Sequence, residues 1–253
     1  MRFALLGSGS RGNATLIEAG GTRLLVDCGF SARETERRLA WLDVAADSLD
    51  AILVTHEHGD HIQGLGTMAR RHGLPVWMTG GTRRQGRHGD LPEIHAFSSH
   101  QAAFSIGDIR VSPFPVPHDA REPVQFVFGH GPSRLGMLTD SGAITPHILE
   151  LLQDCDALML ECNHDMDMLA QGPYPPSLRA RVGGRLGHLN NRQAADLLRR
   201  IDHGRLRHLV AAHLSEKNNT PELAAEALLS VSASLEARVT VSTQDETTGW
   251  LEL

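Results

Sequence analysis

Short apolar runs and amphipathic stretches alternate along the chain. Phe3-Ala4-Leu5-Leu6, Thr15 to Glu18, Arg23 to Val26 and Ala51-Ile52-Leu53-Val54 are too short for helices and rich in β-formers, so each predicts a strand. Gly20-Gly21 supplies the turn between the second and third. Ser31 to Leu39 reads as a helix, with Ser31 as N-cap and Glu34 completing a capping box. Ile62 to Arg71 predicts a further helix, ended near Gly73 and Pro75. A strand at Val76 to Met78, a short basic helix around Thr82 to Arg87 and more strands over residues 90–116 follow. Gln125 to Phe128 and Arg134 to Leu138 read as paired strands, and Leu158-Met159-Leu160-Glu161 as another. Asn190 with Gln193 caps a helix over Arg192 to Arg200, and Leu206 to Ala212 forms a last core strand. Thr220 caps a helix opening at Pro221, and short strands near Arg238 to Val241 and Gly249 to Glu252 finish the chain. Helical pieces alternating with strand pairs specify layers of sheet and helix, an α/β protein.

Three stretches depart from this rhythm. Gly7-Ser8-Gly9-Ser10-Arg11-Gly12-Asn13 lacks the ending of a phosphate-binding P-loop and precedes no helical pattern, so it is expected to be a hairpin turn. The alternate prolines of Pro113-Phe114-Pro115-Val116-Pro117 remove donors from one side of an extended chain, which predicts an edge strand or a polyproline-like rod. Residues 172–187, rich in Gly, Pro and Arg, are expected to be the least regular part, a lid or substrate loop.

The 253 residues suffice for one large α/β domain, and no linker or low-complexity run divides them, so one domain over 1–253 is expected. No run of 18 apolar residues and no signal-peptide pattern occurs, which predicts a cytoplasmic protein without a membrane partner. Cys28, Cys155 and Cys162 have no paired spacing and read as small buried residues. A formal net charge of -6 disfavours a nucleic-acid partner through bulk electrostatics. Against that, Lys217 is the sole lysine, and arginines gather at Arg83, Arg84 and Arg87, at Arg179, Arg181 and Arg185, and at Arg199, Arg200, Arg205 and Arg207. Their planar forks suit phosphate oxygens, although such clusters are usually solvated helix faces.

The candidate chemistry follows the strand at Ala51. Thr55-His56-Glu57-His58-Gly59-Asp60-His61 packs three imidazoles and a carboxylate into six positions. In an extended segment His56 and His58 face one metal together. Gly59 is expected to turn the chain and aim Asp60 and His61 at a second position close by. The chain has 15 histidines, so an isolated one carries little weight, but four ligand types behind a buried strand form a pre-built pair of sites. Asp27 closes the third strand and is placed to accept a hydrogen bond from a ligand imidazole. His118 arrives on the proline-stiffened arm, with Asp119 read as a turn residue. Asp140 ends a strand before a glycine turn and can share its oxygens between two cations. His213 is delivered by the last core strand. His188 stands at a helix entrance, where an anion is also welcome. Cys162-Asn163-His164-Asp165 reads as pocket wall.

In order and type, Asp27, the His56 to His61 cluster, His118, Asp140 and His213 resemble the metallo-β-lactamase superfamily over nearly the whole chain. That resemblance implies an αββα four-layer sandwich with two metals at one edge. It implies His56, His58 and His118 as ligands of one metal, Asp60, His61 and His213 of the other, and Asp140 as the bridge, with Asp27 behind them. Ser8-Gly9-Ser10-x-Gly12-Asn13, Asn163-His164-Asp165, Gly187-His188-Leu189 and His213-Leu214-Ser215-Glu216-x-Asn218-Asn219 resemble the YycJ/WalJ (VicX) branch. The branch implies DNA exonuclease-type phosphodiesterase activity and a gene that often accompanies a two-component signalling system. Asn190 and Cys162 depart from its usual serine and alanine.

The resemblance thus implies metal-assisted hydrolysis of DNA by a hydroxide held between two divalent ions. Zn²⁺ suits the donors first, and Mn²⁺ and Fe²⁺ accept the same set. Asp60 and Asp140 are the candidates to orient the nucleophile, and His188 to stabilise the phosphorane or protonate the leaving oxygen. Asn163, His164 and Ser215 are the expected substrate contacts. The alternatives are a small-molecule or cyclic-phosphate phosphodiesterase, a thioesterase of the glyoxalase II kind, which shares the seven-ligand set, and a metal-bound regulatory protein. No residue pattern points to a protein partner.

Overall fold

The computed structural model describes all residues, Met1–Leu253. Its first sheet contains β1 (Arg2–Gly7), β2 (Ala14–Ala19), β3 (Thr22–Val26), β4 (Ala51–Leu53), β5 (Val76–Thr79), β6 (Ile94–Phe97) and the C-terminal β14 (Leu251–Glu252). Their spatial order is β14-β1-β2-β3-β4-β5-β6, antiparallel up to β3 and parallel from β3 onward. The second sheet holds β7 (Phe104–Ile106), β8 (Ile109–Pro115), β9 (Val124–His130), β10 (Ser133–Leu138), β11 (Ala157–Glu161), β12 (His208–Ala212) and β13 (Val239–Val241). Its order is β13-β12-β11-β10-β9-β8-β7, antiparallel over β7 to β10 and parallel over β10 to β13.

Period-two burial builds the layers. Phe3, Leu5, Leu53, Phe126, Met159 and Val210 point into the core between the sheets. The intervening Ala4, Leu6 and Ile52 pack outward with α1 (Ala32–Ala40) and α3 (Leu65–His72). Leu158, Leu160 and Leu209 pack outward with α5 (Pro146–Leu151), α8 (Asn191–Arg200) and α9 (Pro221–Leu229). Strands covered on both faces therefore read as continuous apolar runs, and three cores separate four layers. This is the expected αββα sandwich.

Several local expectations need correction. The helix foreseen over Ile62 to Arg71 is two pieces, α2 (Gly59–Ile62) and α3, broken at Gly64. A Cβ there would meet the Phe30 carbonyl oxygen at 2.1 Å, so the break is a tertiary close approach. The basic helix, α4, spans Gly80–Gln85 and is capped by Thr79. Ser31 caps α1, but the Glu34 carboxylate turns to Arg37 and Arg38 and closes no capping box. The reciprocal box does form at Asn190 and Gln193 on α8. Pro113 and Pro115 pair with β9 alone, because β7 reaches only Val111, so the prolines occupy the free edge. Within residues 172–187 stands a helix, α7 (Pro176–Val182), opened by its own prolines and preceded by α6 (Met166–Gln171).

The carboxyl ends of β3, β4, β10, β11 and β12 meet at one end of the sandwich. Arg38 ties α1 to the end of β1 and to the segment after β13. It is 4% exposed, donates to the carbonyls of Leu6 (2.7 Å) and Gln244 (2.9 Å), and pairs with Glu34 at 2.6 Å. Arg38→Ala strips two buried carbonyls of their donor and is expected to lose about 2 to 4 kcal/mol of stability. For a chain of this size that corresponds to roughly 4 to 16 °C in thermal midpoint. An unchanged midpoint by circular dichroism would show that the carbonyls find other donors.

Candidate metal centre

Asp27 organises the first half of the site. Its two carboxylate oxygens accept from the Thr55 amide and hydroxyl, both at 2.8 Å, tying the end of β3 to the end of β4. Oδ2 also accepts from His61 Nδ1 at 2.7 Å. The Thr55 hydroxyl donates to Asp27, so it accepts from His56 Nδ1 at 3.0 Å. His118 Nδ1 donates to the Gly187 carbonyl at 3.1 Å. With their Nδ1 atoms engaged, His56, His61 and His118 all present Nε2 inward.

Gly59 does not turn the chain in the way its identity suggests. It is an ordinary first residue of α2 with open space where a Cβ would lie, and the helical turn itself re-aims Asp60 and His61. The glycine that close packing requires is Gly29, where a Cβ would meet the Asp60 carbonyl oxygen at 1.7 Å.

Two groups of donors result. His56 Nε2 lies 3.0 Å and His118 Nε2 lies 3.2 Å from His58 Nδ1. His58 Nδ1 carries at most one proton, which cannot satisfy both lone pairs. In the second group His61 Nε2 lies 3.4 Å from Asp60 Oδ2, and His213 Nε2 lies 3.5 Å from the same oxygen. Asp140 stands between the groups, with Oδ2 3.2 Å from His61 Nε2 and Oδ1 3.9 Å from His118 Nε2. Asp140 Oδ2 and His213 Nε2 are buried with no hydrogen-bond partner. Facing lone pairs and orphaned buried acceptors are satisfied together by divalent cations, so the donor set fits two such ions.

Protonation follows from the crowding. Burial, then the neighbouring His61, pushes the His56 pKa well below its usual value, and burial lowers that of His118. Burial works against a charged His61, but Asp140, Asp60 and Asp27 outweigh it and raise its pKa well above normal. Burial likewise opposes ionisation of Asp60 and Asp140, yet the surrounding imidazoles hold both carboxyls below the usual range.

The residue that sequence reasoning left without a role is Glu161. It closes the wholly buried β11, and one oxygen lies 2.9 Å from both His188 Nδ1 and His213 Nδ1. The other accepts from the amides of Ser141 and Leu189, each at 3.0 Å. Burial opposes its charge, but His188 and His213 bring its pKa down to about 2. In return the His213 pKa, lowered by burial, is carried up to about 10 by Asp140, Asp60 and Glu161, and that of His188 is raised by Glu161. A carboxylate ending an apolar run, as Asp27 and Asp140 do, was the available signal. Beneath His213, its amide donates to Ser8 Oγ, which donates to Asn13 Oδ1, giving the Ser8-to-Asn13 loop a structural task.

A cavity of about 350 Å³ opens over these groups. Asp60, Asp140, His188, His213, Asn163 and Ser215 border it. Asn163 also donates to the His213 carbonyl at 2.9 Å. His164, expected among the substrate contacts, does not reach the cavity. It is 2% exposed, bridges to Asn190, and burial lowers its pKa to about 4. Asp119, read as a turn residue, does border the cavity, 3.5 Å from His118 Nε2 and 2.6 Å from Arg181 Nε.

An αββα sandwich with clustered imidazoles and carboxylates at its strand ends defines a metallo-hydrolase fold. The family described as the beta-lactamase superfamily domain matches residues 22–213. The chain belongs to the metallo-β-lactamase superfamily, and within it to the YycJ/WalJ-like proteins. It is 36% identical over 241 residues to exodeoxyribonuclease YycJ of Bacillus anthracis, covering 94% of this chain and 90% of that one. It is 33% identical over 229 residues to exodeoxyribonuclease WalJ of Streptococcus pneumoniae, covering 88% and 85%. Among solved structures, the metallo-β-lactamase fold protein YhfI of Bacillus subtilis aligns with a TM-score of 0.75 at 17% identity, covering 97% of this chain and 98% of the other.

Asp27→Ala removes the acceptor that holds His61 and Thr55. Its expected effect is a 10- to 100-fold weaker grip, by order of magnitude, on one of two divalent ions, the other being less affected. Competition with a chromophoric chelator measures both, and two unchanged affinities would show that His61 needs no orienting carboxylate.

Proposed function

We propose that the chain is a dinuclear metal-dependent phosphodiesterase that removes nucleotides from DNA ends. His56, His58 and His118 hold one ion, Asp60, His61 and His213 hold the other, and Asp140 lies between them. The carrying observation is the pair of facing donor groups with Asp140 Oδ2 and His213 Nε2 left as buried orphans. The substrate class is supported by the 33–36% identity to proteins named exodeoxyribonucleases. Zn²⁺ or Mn²⁺ fits these nitrogen and oxygen donors, and Fe²⁺ is compatible.

Bound divalent ions supply a water of lowered pKa and positive charge for the phosphate oxygens. The chain's residues do the rest. Asp60 and Asp140, held ionised by their imidazole neighbours, orient the attacking water. His188 Nδ1 is fixed on Glu161, which leaves Nε2 to donate a proton to the leaving oxygen. Asn163 and Ser215 contribute polar wall to the cavity.

A second reading, a small-molecule phosphodiesterase, is favoured by the cavity of about 350 Å³ and the net charge of -6. Degradation of 5′- and 3′-labelled duplex and single-stranded DNA with Mn²⁺ or Zn²⁺, against an Asp60→Ala blank, separates the two. Metal-dependent loss of nucleotides from one labelled end is expected. Hydrolysis of bis-p-nitrophenyl phosphate without cleavage of any polymer would move the assignment to the small substrate. A metal-loaded protein inert on both would make it a regulatory protein.

Two further outcomes are expected. Chelation abolishes turnover and restored metal recovers it, followed by metal analysis beside activity. His188→Ala lowers kcat about 10²- to 10⁴-fold with metal content intact. Loss of metal in that variant would make His188 a structural residue.

A further inference from the structure

The cleft over the metal groups is closed on one side and open on the other. Tyr174, Leu178, Arg181 and Val182, on and just before α7, form the wall facing the metal-binding residues. A second cleft adjoins at Glu57, His58, Gly59 and Asp119 and runs past Gln63 to Gln85 and Arg87 beside α4. It is the wider of the two, about 680 Å³.

The closed wall is built in, not laid over. Arg181 pairs with Asp119 at 2.6 Å, the Asp119 amide donates to the Leu186 carbonyl at 3.0 Å, and the His188 amide donates to the Val182 carbonyl at 2.9 Å. Arg179 reaches back to the Ala170 carbonyl. At Gly187 a Cβ would meet the carbonyl oxygens of Arg181 and Val182 at 2.2 Å, and at Gly142 one would meet the Arg185 carbonyl carbon at 2.4 Å. A chain running straight through the site would have to pass this barrier.

The two clefts also differ in chemistry. The walled one contains Tyr174, the only tyrosine of the chain, partly buried, with Arg181 in the same lining. The open one is bordered by Arg87, which is exposed and has no carboxylate within ion-pair distance, unlike Arg181, while the Glu57 carboxylate in the same cleft accepts from the Arg121 amide and the Thr82 hydroxyl. An aromatic face suits a base, and unpaired guanidinium groups suit backbone phosphates.

We infer that DNA is admitted as a free strand end, its terminal nucleotide lying between the metal-binding residues and α7 with its base on Tyr174, while the strand leaves along the adjoining cleft past Arg87. The inference rests on the proposed DNA substrate and deepens it. It makes end-specificity a property of the α7 wall. A duplex end must give up the pairing of its last nucleotide to enter, because the walled cavity is at the small-ligand end of the usual range.

The experiment uses the full-length metal-loaded protein, with fluorescence anisotropy on Asp60→Asn for binding and gel kinetics on wild type for cleavage. The DNA is a single-stranded oligonucleotide, linear or covalently circularised. The linear form is expected to bind at least about tenfold more tightly and to be the only form cut. Tyr174→Ala should raise KM for the linear form about 5- to 150-fold with a smaller change in kcat, and Tyr174→Phe should restore it. Arg87→Ala should flatten the slope of log affinity against log salt by about 0.7, one phosphate's contribution on a single strand. Equal binding of circle and line overturns the inference even where DNA is cut, as does wild-type KM in Tyr174→Ala or an unchanged salt slope. End-dependent binding by a protein that cuts no DNA would refute the nuclease reading and uphold end admission.

Discussion

Nitrogen lone pairs that face one another cannot hydrogen-bond one another, and this site turns three of them to a single point. His56, His58 and His118 converge because groups behind them hold the outer two rings in fixed tautomers. Thr55 holds one and the Gly187 carbonyl holds the other. The opposite half uses carboxylates for the same purpose, Asp27 behind His61 and Glu161 behind His213. Without those acceptors each ring could rotate to bond a neighbour and the mutual repulsion would vanish. The fold therefore holds these donors where divalent cations satisfy them together, and binding such ions would add to the stability of the strand ends.

The backbone carries part of that strain. Five non-glycine residues have positive φ, and three of them are site residues, Asp27 and His213 directly after β3 and β12 and Asp140 one residue beyond the end of β10. Each left-handed step costs on the order of 1 kcal/mol or more. It also ends strand pairing abruptly, which turns the side chain away from the sheet face and toward the shared edge. Parallel strands are suited to this, because their carboxyl ends lie side by side and several can contribute to one crevice. The first sheet supplies four of the seven donors, His56, His58, Asp60 and His61, and the second supplies His118, Asp140 and His213, so the site spans both sheets at that end.

Much of this was legible in the sequence because the same physics wrote both signals. Strands covered on both faces must be apolar throughout, and their ends are visible where the run stops at Asp27, Thr55, Asp140 or His213. The helix break at Gly64 was hidden, since its cause is the distant Phe30 carbonyl. Glu161 stood in plain view at the end of Leu158-Met159-Leu160, but its four partners come from segments around residues 141, 188 and 213. Asp119 looked like any turn aspartate until Arg181 was placed opposite. His164 had the right chemistry in the right motif and faces the wrong way. Proline and glycine in residues 172–187 argued for irregular chain, whereas Pro176 opens a helix.

That helix ties the cavity wall to the metal-facing residues through one peptide. The Gly187 carbonyl fixes His118, and the space where a Gly187 side chain would lie is filled by the carbonyls that end α7. The next residue, His188, donates its amide to Val182 and its ring to Glu161. A change that moves the wall must therefore move a metal-facing imidazole, the candidate proton donor, or both. Loops at the edge of a fold normally vary freely because they are insulated from the chemistry. Here the wall is covalently continuous with it, because Gly187 and His188 follow α7 in the chain and carry the contacts to His118 and Glu161.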